Sequence, residues 1–382
     1  MIDPFASRPS PKIVFGPGAL RELPACVREV EGSSVFLVSD HGISAAGHLN
    51  TAKHLLESAG ITVTIFDGTK ENPSESDAAA CCVIARKARF DCIVALGGGS
   101  SMDTAKACNF LLTNGGAMRD YHGYGKATKA MLPFIAIPTT SGTGSECQSY
   151  ALVGRDDTHE KMACGDSKAR ARTAILDPEL TATQPKSVAI LTGLDALAHA
   201  LESAVTTRRN AISSIYSENA FRHLAGAIDR VIQGTANLDD RGHMQLGAAL
   251  SGLAIENSML GAAHATANPL TARYTTIHGH AVALMLPHVM RINTSDSAAA
   301  EIYAGFSEHL KRSGVTTLPL IDWVEQLVQH SALPALIVPA CDLSVLAQDA
   351  AKQWTGQFNP RGLQVDDYVA LYRRALGTDA AA

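Results

Sequence analysis

The sequence predicts two domains, an N-terminal α/β domain built on a parallel sheet and an all-helical C-terminal domain. Its 382 residues exceed the usual length of a single domain. From Ile13 to about Leu180, short apolar runs alternate with helix-patterned segments, as in βα units. Beyond Leu180, apolar residues recur at intervals of three and four almost to the end. We place the boundary near Thr183, which gives domains 1–183 and 184–382.

The first domain is expected to alternate strands with helices. We expect strands at 34–39, 61–66, 92–96 and 134–137, with helices at about 44–58 and 74–89. The last of these strands ends at Pro138, which cannot donate to a sheet and marks the start of a polar loop. Expected helices of the second domain are 187–205, 211–233, 244–257, 281–293, 298–313, 318–331, 343–353 and 365–376.

Composition favours a small-molecule substrate. The formal net charge of -5 provides no basic field, so nucleic-acid and anionic-membrane partners have little electrostatic support. The eight cysteines include no C-x-x-C pair, which favours reduced thiols inside the cell. The N-terminus lacks the pattern of a signal peptide, and we find no apolar stretch of about 18 residues. These features predict a cytoplasmic protein.

A triple glycine follows the buried run at 92–96. Gly97, Gly98 and Gly99 lie where a strand ends and a helix begins. Missing side chains let backbone N–H groups approach an anion, and the helix N-terminus favours negative charge, so a pyrophosphate fits. A tight structural turn explains the three glycines equally well, because the pattern is neither G-x-G-x-x-G nor a Walker motif.

Two further features lie at the ends of predicted strands. Asp40 follows the strand at 34–39, where a carboxylate can bind ribose hydroxyls and repel a 2′-phosphate, or can simply cap a helix. The hydroxyl-rich loop 139–146 follows the strand at 134–137. Together with the glycines, these features predict an NAD site in a Rossmann-like domain.

A metal site is predicted in the second domain. Asp195 and His199 are four residues apart on an expected helix, so their side chains share one face. A surface ion pair has the same spacing, but the neighbours of this pair are leucines and alanines, so a buried histidine here needs a partner. A metal ion would supply that partner.

Two more histidines complete the predicted ligand set. His264 and His278 lie among small or apolar residues that indicate burial, although each alone could be an ordinary core histidine. Carboxylate and imidazole ligands without thiolate suit Fe(II) or Zn(II), and the sequence does not separate the two metals. His280 would point away from His278 in an extended segment, and His288 is a weaker candidate, so neither is assigned as a ligand.

The chain resembles the iron-containing (group III) alcohol dehydrogenase family over nearly its whole length. The motifs are GGGSSMDTAK, IPTTSGTGSE, DPEL, TGLDALAHALE and HGHAVALMLPHVMRIN. The resemblance implies the dehydroquinate synthase-like architecture of that family and a homodimer. Its metal ligands fall on Asp195, His199, His264 and His278. Its NAD contacts fall on Asp40, Asn72, Gly97, Gly98, Gly99, Ser100, Asp103, Thr139, Thr140, Thr143, Ser145, Lys161 (at the nicotinamide ribose) and Leu180.

One position departs from the family pattern. Many members have a second histidine four residues after the one at His264, and this chain has Asn268 there. An amide can hydrogen-bond but cannot titrate, so the usual proton relay is in question. His280, a ribose hydroxyl or water could take its place.

The predicted function is NAD- and metal-dependent hydride transfer between nicotinamide and a small alcohol or aldehyde. No catalytic residue is assigned beyond the metal ligands, with His280 and Asn268 as candidates. The first alternative is a metal- and NAD-using lyase of the dehydroquinate synthase kind, which should have several basic residues for a sugar phosphate; the motifs here have few. The second alternative is a non-catalytic nucleotide or metal sensor.

Overall fold

The computed structural model describes residues 4–158, 160–274 and 276–377. These residues divide into two compact units. One consists of Pro9–Gln184, and the other of the chain from Pro185 onward together with the segment before Pro9. The division falls between Gln184 and Pro185.

The first unit is an α/β sandwich. Its strands are β1 (Lys12–Phe15), β2 (Ser34–Val38), β3 (Thr62–Phe66), β4 (Cys92–Gly97), β5 (Gly123–Tyr124), β6 (Phe134–Pro138), β7 (Tyr150–Gly154), β8 (Lys161–Gly165) and β9 (Thr173–Leu176). Its α-helices are α1 (Leu23–Glu29), α2 (His41–Ala45), α3 (His48–Ser58), α4 (Glu75–Ala85) and α5 (Gly99–Asn114).

Six of these strands form a fully parallel sheet in the described part of the unit, in the order β1-β9-β6-β4-β2-β3. Side chains alternate between its two faces. Val35 and Leu37 pack with α1 and α3 on one face, whereas Phe36 and Val38 pack with α4 and α5 on the other. The predicted parallel α/β fold is confirmed. A second sheet, β5-β8-β7, contains an antiparallel pair that we did not predict.

The second unit is helical in its described residues. Its α-helices are α6 (Lys186–Val205), α7 (Ala211–Ala225), α8 (Ile228–Gln233), α9 (Leu238–Asn257), α10 (Ala262–Tyr274), α11 (His278–Asn293), α12 (Ser297–Arg312), α13 (Leu320–His330), α14 (Leu343–Ala351) and α15 (Val365–Ala375). They pack around one core, with α6 against α7, α8, α9 and α11. The all-helical C-terminal part is confirmed.

Helix α6 is long and apolar enough to cross a membrane by length and composition, contrary to our expectation that no such stretch exists. However, 89% of its apolar window is buried inside the protein. Burial against the neighbouring helices accounts for its composition, so α6 has the character of a core helix.

Several predicted helix boundaries are wrong. The helix expected at 44–58 is two helices, because Gly47 adopts a left-handed conformation with φ of 85°. The helix expected at 211–233 likewise breaks between α7 and α8, near Gly226. Helix α9 begins at Leu238, capped by Asn237, six residues before the predicted start. Helix α11 begins at His278, so His278 and His280 lie in its first turn and not in an extended segment.

Candidate metal centre and nucleotide site

Three of the four predicted metal ligands lie together in the helical unit. The ligand atoms of Asp195, His199 and His264 are all within 4.8 Å of one another, and all three residues are buried. Asp195 Oδ1 is 3.6 Å from His199 Nε2 and 3.4 Å from His264 Nε2. These distances suit three groups that face one small cation.

Two helices position these side chains. Asp195 and His199 are one turn apart on α6, so they share its inward face. His264 is the third residue of α10, and its ring stacks on that of His199 with centroids 4.8 Å apart. Sequence spacing predicted the first pair, but only tertiary packing brings α10 to α6.

His278 lies beside this group. As the first residue of α11, it has its ring centroid 5.4 Å from that of His264. It is near enough to affect the ionisation of Asp195, but it is outside the compact group formed by the other three. His278 therefore stays a predicted fourth ligand.

The electrostatics of the group favour a cation. Burial alone would raise the pKa of Asp195, yet the imidazoles of His199, His264 and His278 hold that pKa well below its usual range. Burial also opposes charge on His264, but the carboxylates of Asp195 and Glu202 raise the pKa of its imidazole to about 9. Two buried carboxylates thus stabilise positive charge at this point.

Two atoms of the group lack a hydrogen-bond partner anywhere in the described part of the chain, Asp195 Oδ1 and His264 Nε2. Leaving a buried polar atom unpaired costs about 1–3 kcal/mol. A divalent cation would supply a partner to both atoms at once. One carboxylate with imidazoles and no thiolate is a donor set that fits Fe(II) or Zn(II).

His280, His288 and Asn268 do not belong to this group of three. Two residues along a helix correspond to a rotation of about 200°, so His280 faces away from His278. Burial lowers the pKa of His280 and of His288. The side-chain amide of Asn268 donates to Gln353 Oε1 at 3.0 Å.

In the other unit, the triple glycine forms a tight junction between β4 and α5. Gly97 ends β4 with φ of 154°, and Gly99 begins α5. A Cβ on Gly99 would lie 2.7 Å from Thr143 Cγ2, so a side chain has no room there. Gly98, Gly99 and Ser100 are partly exposed at the N-terminus of a 16-residue helix. This exposed, positively polarised backbone suits a phosphate.

The predicted nucleotide features meet at one edge of the sheet. β2, β4 and β6 are neighbours in parallel register, so Asp40, Gly97 and Thr139 follow adjacent strand ends. Asp40 Oδ1 caps α2 by accepting from the Ile43 N–H, and Oδ2 accepts from Ser101 Oγ at 3.2 Å. Asp40 is therefore a helix cap and also part of this edge.

Other predicted NAD contacts lie in the same compact unit. The backbone N–H of Asn72 donates to Ser100 Oγ at 3.3 Å, and Asn72 has a positive φ of 50°. Thr140 lies against Gly98. Lys161, at the start of β8, acts electrostatically on Asp103. Leu180 packs in the core on one sheet face.

Lys106 organises the hydroxyl-rich loop, a role that we did not predict from the sequence. Its buried Nζ donates to the carbonyl oxygens of Ser145, Gln148 and Tyr150 and to Ser145 Oγ, at 2.6–3.0 Å. Ser145 Oγ donates in turn to Asp103 Oδ1 at 3.1 Å. The available signal was a lysine between two alanines in a helix that begins at the triple glycine.

Glu146, in the same loop, predicts a pH effect on stability. It is buried, and burial raises the pKa of its carboxyl to about 7. A folded-state pKa above the unfolded value gives stability that is present below about pH 4.5 and lost as the pH rises through 7.

Relative to Glu146→Gln, the wild type should therefore lose about 2–3 kcal/mol of unfolding free energy between pH 5 and 8.5. Urea unfolding at both pH values measures this; a difference that does not change with pH would show that Glu146 is not titrating.

The first unit has a parallel sheet with a glycine turn at one strand end, and the helical unit has a buried group of one carboxylate and two imidazoles. This combination is typical of a metal-activated, dinucleotide-dependent dehydrogenase. The sequence model for "Iron-containing alcohol dehydrogenase" matches residues 10–178, and that for the "Fe-containing alcohol dehydrogenase family, C-terminal" matches residues 189–376. The chain belongs to the iron-containing alcohol dehydrogenase family.

Individual relatives and solved structures are consistent with this family assignment. Alcohol dehydrogenase 4 of Schizosaccharomyces pombe is 33% identical over 95% of this chain and 87% of its own length. A crystal structure of 1,3-propanediol oxidoreductase superposes with a TM-score of 0.91 and 29% identity, covering 98% of this chain and all of its own. The sulfoacetaldehyde reductase of Bifidobacterium kashiwanohense, in complex with NAD⁺, gives a TM-score of 0.86 and 25% identity, covering 99% and 100%. These relatives are oxidoreductases by name, which favours the dehydrogenase over the lyase and sensor alternatives.

Proposed function

We propose that this chain oxidises a small alcohol with NAD⁺ and catalyses the reverse reduction of an aldehyde, using one divalent cation held by Asp195, His199, His264 and His278. Membership of the dehydrogenase family supports the reaction class. The observation that supports the site most strongly is the buried acid and imidazole group with two unpartnered atoms. We propose Fe(II) as the metal, with Zn(II) as the alternative.

The metal ion, NAD(H) and the protein side chains would have different functions in this reaction. When bound, a divalent cation lowers the pKa of an alcohol hydroxyl and polarises a carbonyl oxygen, and NAD(H) accepts or supplies the hydride. Asp195, His199, His264 and His278 would hold and orient the cation, and the burial of the first three would limit the access of bulk water to it. Relatives named for 1,3-propanediol and sulfoacetaldehyde support a short carbon chain as the substrate.

The NAD contacts proposed are the residues around the sheet edge, with the phosphates at Gly97–Ser100. Asp40 supports NAD over NADP because its carboxylate, at the end of β2, would repel a 2′-phosphate. We include Lys161 and Leu180 among the proposed NAD contacts because the family resemblance places contacts at these positions.

Asp40→Asn is expected to relax this cofactor preference. The amide oxygen can still cap α2, so the change removes charge with little loss of structure. We expect the ratio of kcat/KM for NADP⁺ to that for NAD⁺ to rise by about tenfold, equivalent to 1.4 kcal/mol. Glu57→Gln, which removes a similar charge from the exposed surface of α3, is the control. An unchanged ratio in Asp40→Asn would exclude Asp40 as the discriminating group.

The reaction itself is tested with a panel of alcohols, diols and aldehydes and NAD(H), on protein stripped of metal and reloaded separately with Fe(II) and Zn(II). We expect NADH formation from at least one short alcohol, lost on stripping and restored by one metal. A lyase would leave NAD unchanged overall, and a sensor would show no turnover. A full rate in stripped protein would overturn the proposal.

We also propose a cytoplasmic homodimer. The cytoplasmic location is supported by the buried free thiols of Cys26, Cys81, Cys82, Cys92, Cys108 and Cys164. The dimer rests on the resemblance to the family.

A further inference from the structure

Glu202 lies on the same face of α6 as two of the predicted ligands. Asp195, His199 and Glu202 are at positions i, i+4 and i+7, a spacing that aligns side chains along one side of a helix. The carboxylate is buried, with only 3% of the residue exposed. A buried carboxylate requires partners, and it finds them on another helix.

Both carboxylate oxygens of Glu202 accept hydrogen bonds from the start of α10. Oε2 is 2.6 Å from His264 Nδ1, and Oε1 accepts the backbone N–H of Ala263 at 2.7 Å. An ionised carboxylate can only accept, so Nδ1 of His264 carries a proton, and in the neutral ring that binds a metal ion this is the only ring proton. Nε2 of the same ring then presents its lone pair, and it lies 3.4 Å from Asp195 Oδ1.

We propose that Glu202 is the positioning residue of the metal centre, holding the His264 proton on Nδ1 and directing Nε2 to the cation. The inference rests on the proposed metal site. A carboxylate bonded to the far nitrogen of a ligating histidine fixes the ring and strengthens it as a ligand. One rigid helix would thus carry two ligands together with the group that orients a third.

A purely structural role is the competing explanation, because Glu202 also anchors the first turn of α10. Asn359 offers a matched comparison. Its Oδ1 accepts the N–H of Ala262 at 3.2 Å in the same turn, and its other hydrogen bonds go to Asn293 and Arg361. Loss of the Asn359 side chain loosens the helix start without removing the partner of His264.

The test compares Glu202→Gln, Asn359→Ala and His264→Ala with the wild type, with Zn(II) affinity measured by competition with a chromogenic chelator. Glutamine has one acceptor oxygen, so it can satisfy only one of the two N–H groups. We expect the Kd for Zn(II) to rise about 10- to 100-fold in Glu202→Gln and more in His264→Ala. Asn359→Ala should lower the melting temperature but change this Kd less than about threefold.

Two results would overturn the inference. One is a Kd in Glu202→Gln within about threefold of the wild type, and the other is an equal rise in Asn359→Ala. Unchanged affinity in His264→Ala would instead refute the metal site itself. If Glu202→Gln does not fold, ¹⁵N NMR of histidine-labelled, zinc-loaded wild type decides: we expect a proton on Nδ1 of His264, and a proton on Nε2 would contradict the role of Glu202.

Discussion

His264→Ala is expected to lose bound metal and to reduce turnover by about 10³-fold or more, while NAD⁺ binding survives. The change removes the imidazole whose Nε2 faces Asp195. It also leaves the buried carboxylates of Asp195 and Glu202 without their shared partner. Polarisation by a metal contributes several kcal/mol to catalysis, and each 1.4 kcal/mol is a factor of ten in rate.

Metal content by mass spectrometry, steady-state rates and NAD⁺ titration test this expectation together. The proposed NAD contacts belong to the other compact unit, so the Kd for NAD⁺ should stay near the wild-type value. His330→Ala, which removes an exposed histidine at the end of α13, is the control and should leave metal content and rate unchanged. Wild-type metal content in His264→Ala would contradict the assignment of this residue.

Lys106→Met is expected to destabilise the first unit and weaken NAD⁺ binding. Methionine is unbranched and only one atom shorter than lysine, but it donates no hydrogen bond, so three carbonyl oxygens and a hydroxyl lose their donor. Buried acceptors left unpaired cost about 1–3 kcal/mol each, and relaxation of the loop limits the sum, so we expect a loss of about 3–5 kcal/mol.

The same change frees the loop that contains Thr139, Thr143 and Ser145. We therefore expect the Kd for NAD⁺ to rise about tenfold, equivalent to 1.4 kcal/mol. Urea unfolding and NAD⁺ fluorescence titration measure the two effects, with Lys87→Met, at an exposed lysine beyond α4, as the control. A loss of stability below about 1 kcal/mol would mean that the loop does not depend on Lys106.

The strand ends could be predicted from the sequence because parallel strands are buried on both faces and form short apolar runs. That reasoning placed Asp40, the glycine turn and Thr139 correctly at adjacent strand ends. The mixed sheet could not be predicted in this way, because β5 has only two residues and β8 pairs with it and with β7 in different directions.

Helix α10 shows where local patterns fail. We predicted no helix in this segment, which contains Asn268, a residue type that favours turns, and Pro269, which removes a helix hydrogen bond. In the structure, residues 262–267 are all buried, and packing outweighs the local preference. The helix that presents His264 was therefore not among those that we predicted.

The metal site likewise combines residues that local sequence spacing predicts with one that depends on tertiary packing. The i, i+4 spacing of Asp195 and His199 is a local signal, whereas the approach of His264 depends on tertiary contacts between α6 and α10. Glu202 is at the same helical spacing, but we could not propose a role for it from the sequence, because its partner His264 is on α10. Helix periodicity alone cannot name the group that a buried carboxylate contacts.

We propose above all that Asp195, His199, His264 and His278 bind one divalent cation. Anomalous diffraction from crystals of the reloaded protein, collected on either side of the metal absorption edge, tests it most directly. We predict a single peak about 2.0–2.2 Å from an oxygen of Asp195 and from one nitrogen of each of the three histidines. A peak elsewhere, or one that His278 does not reach, would contradict the four-ligand assignment.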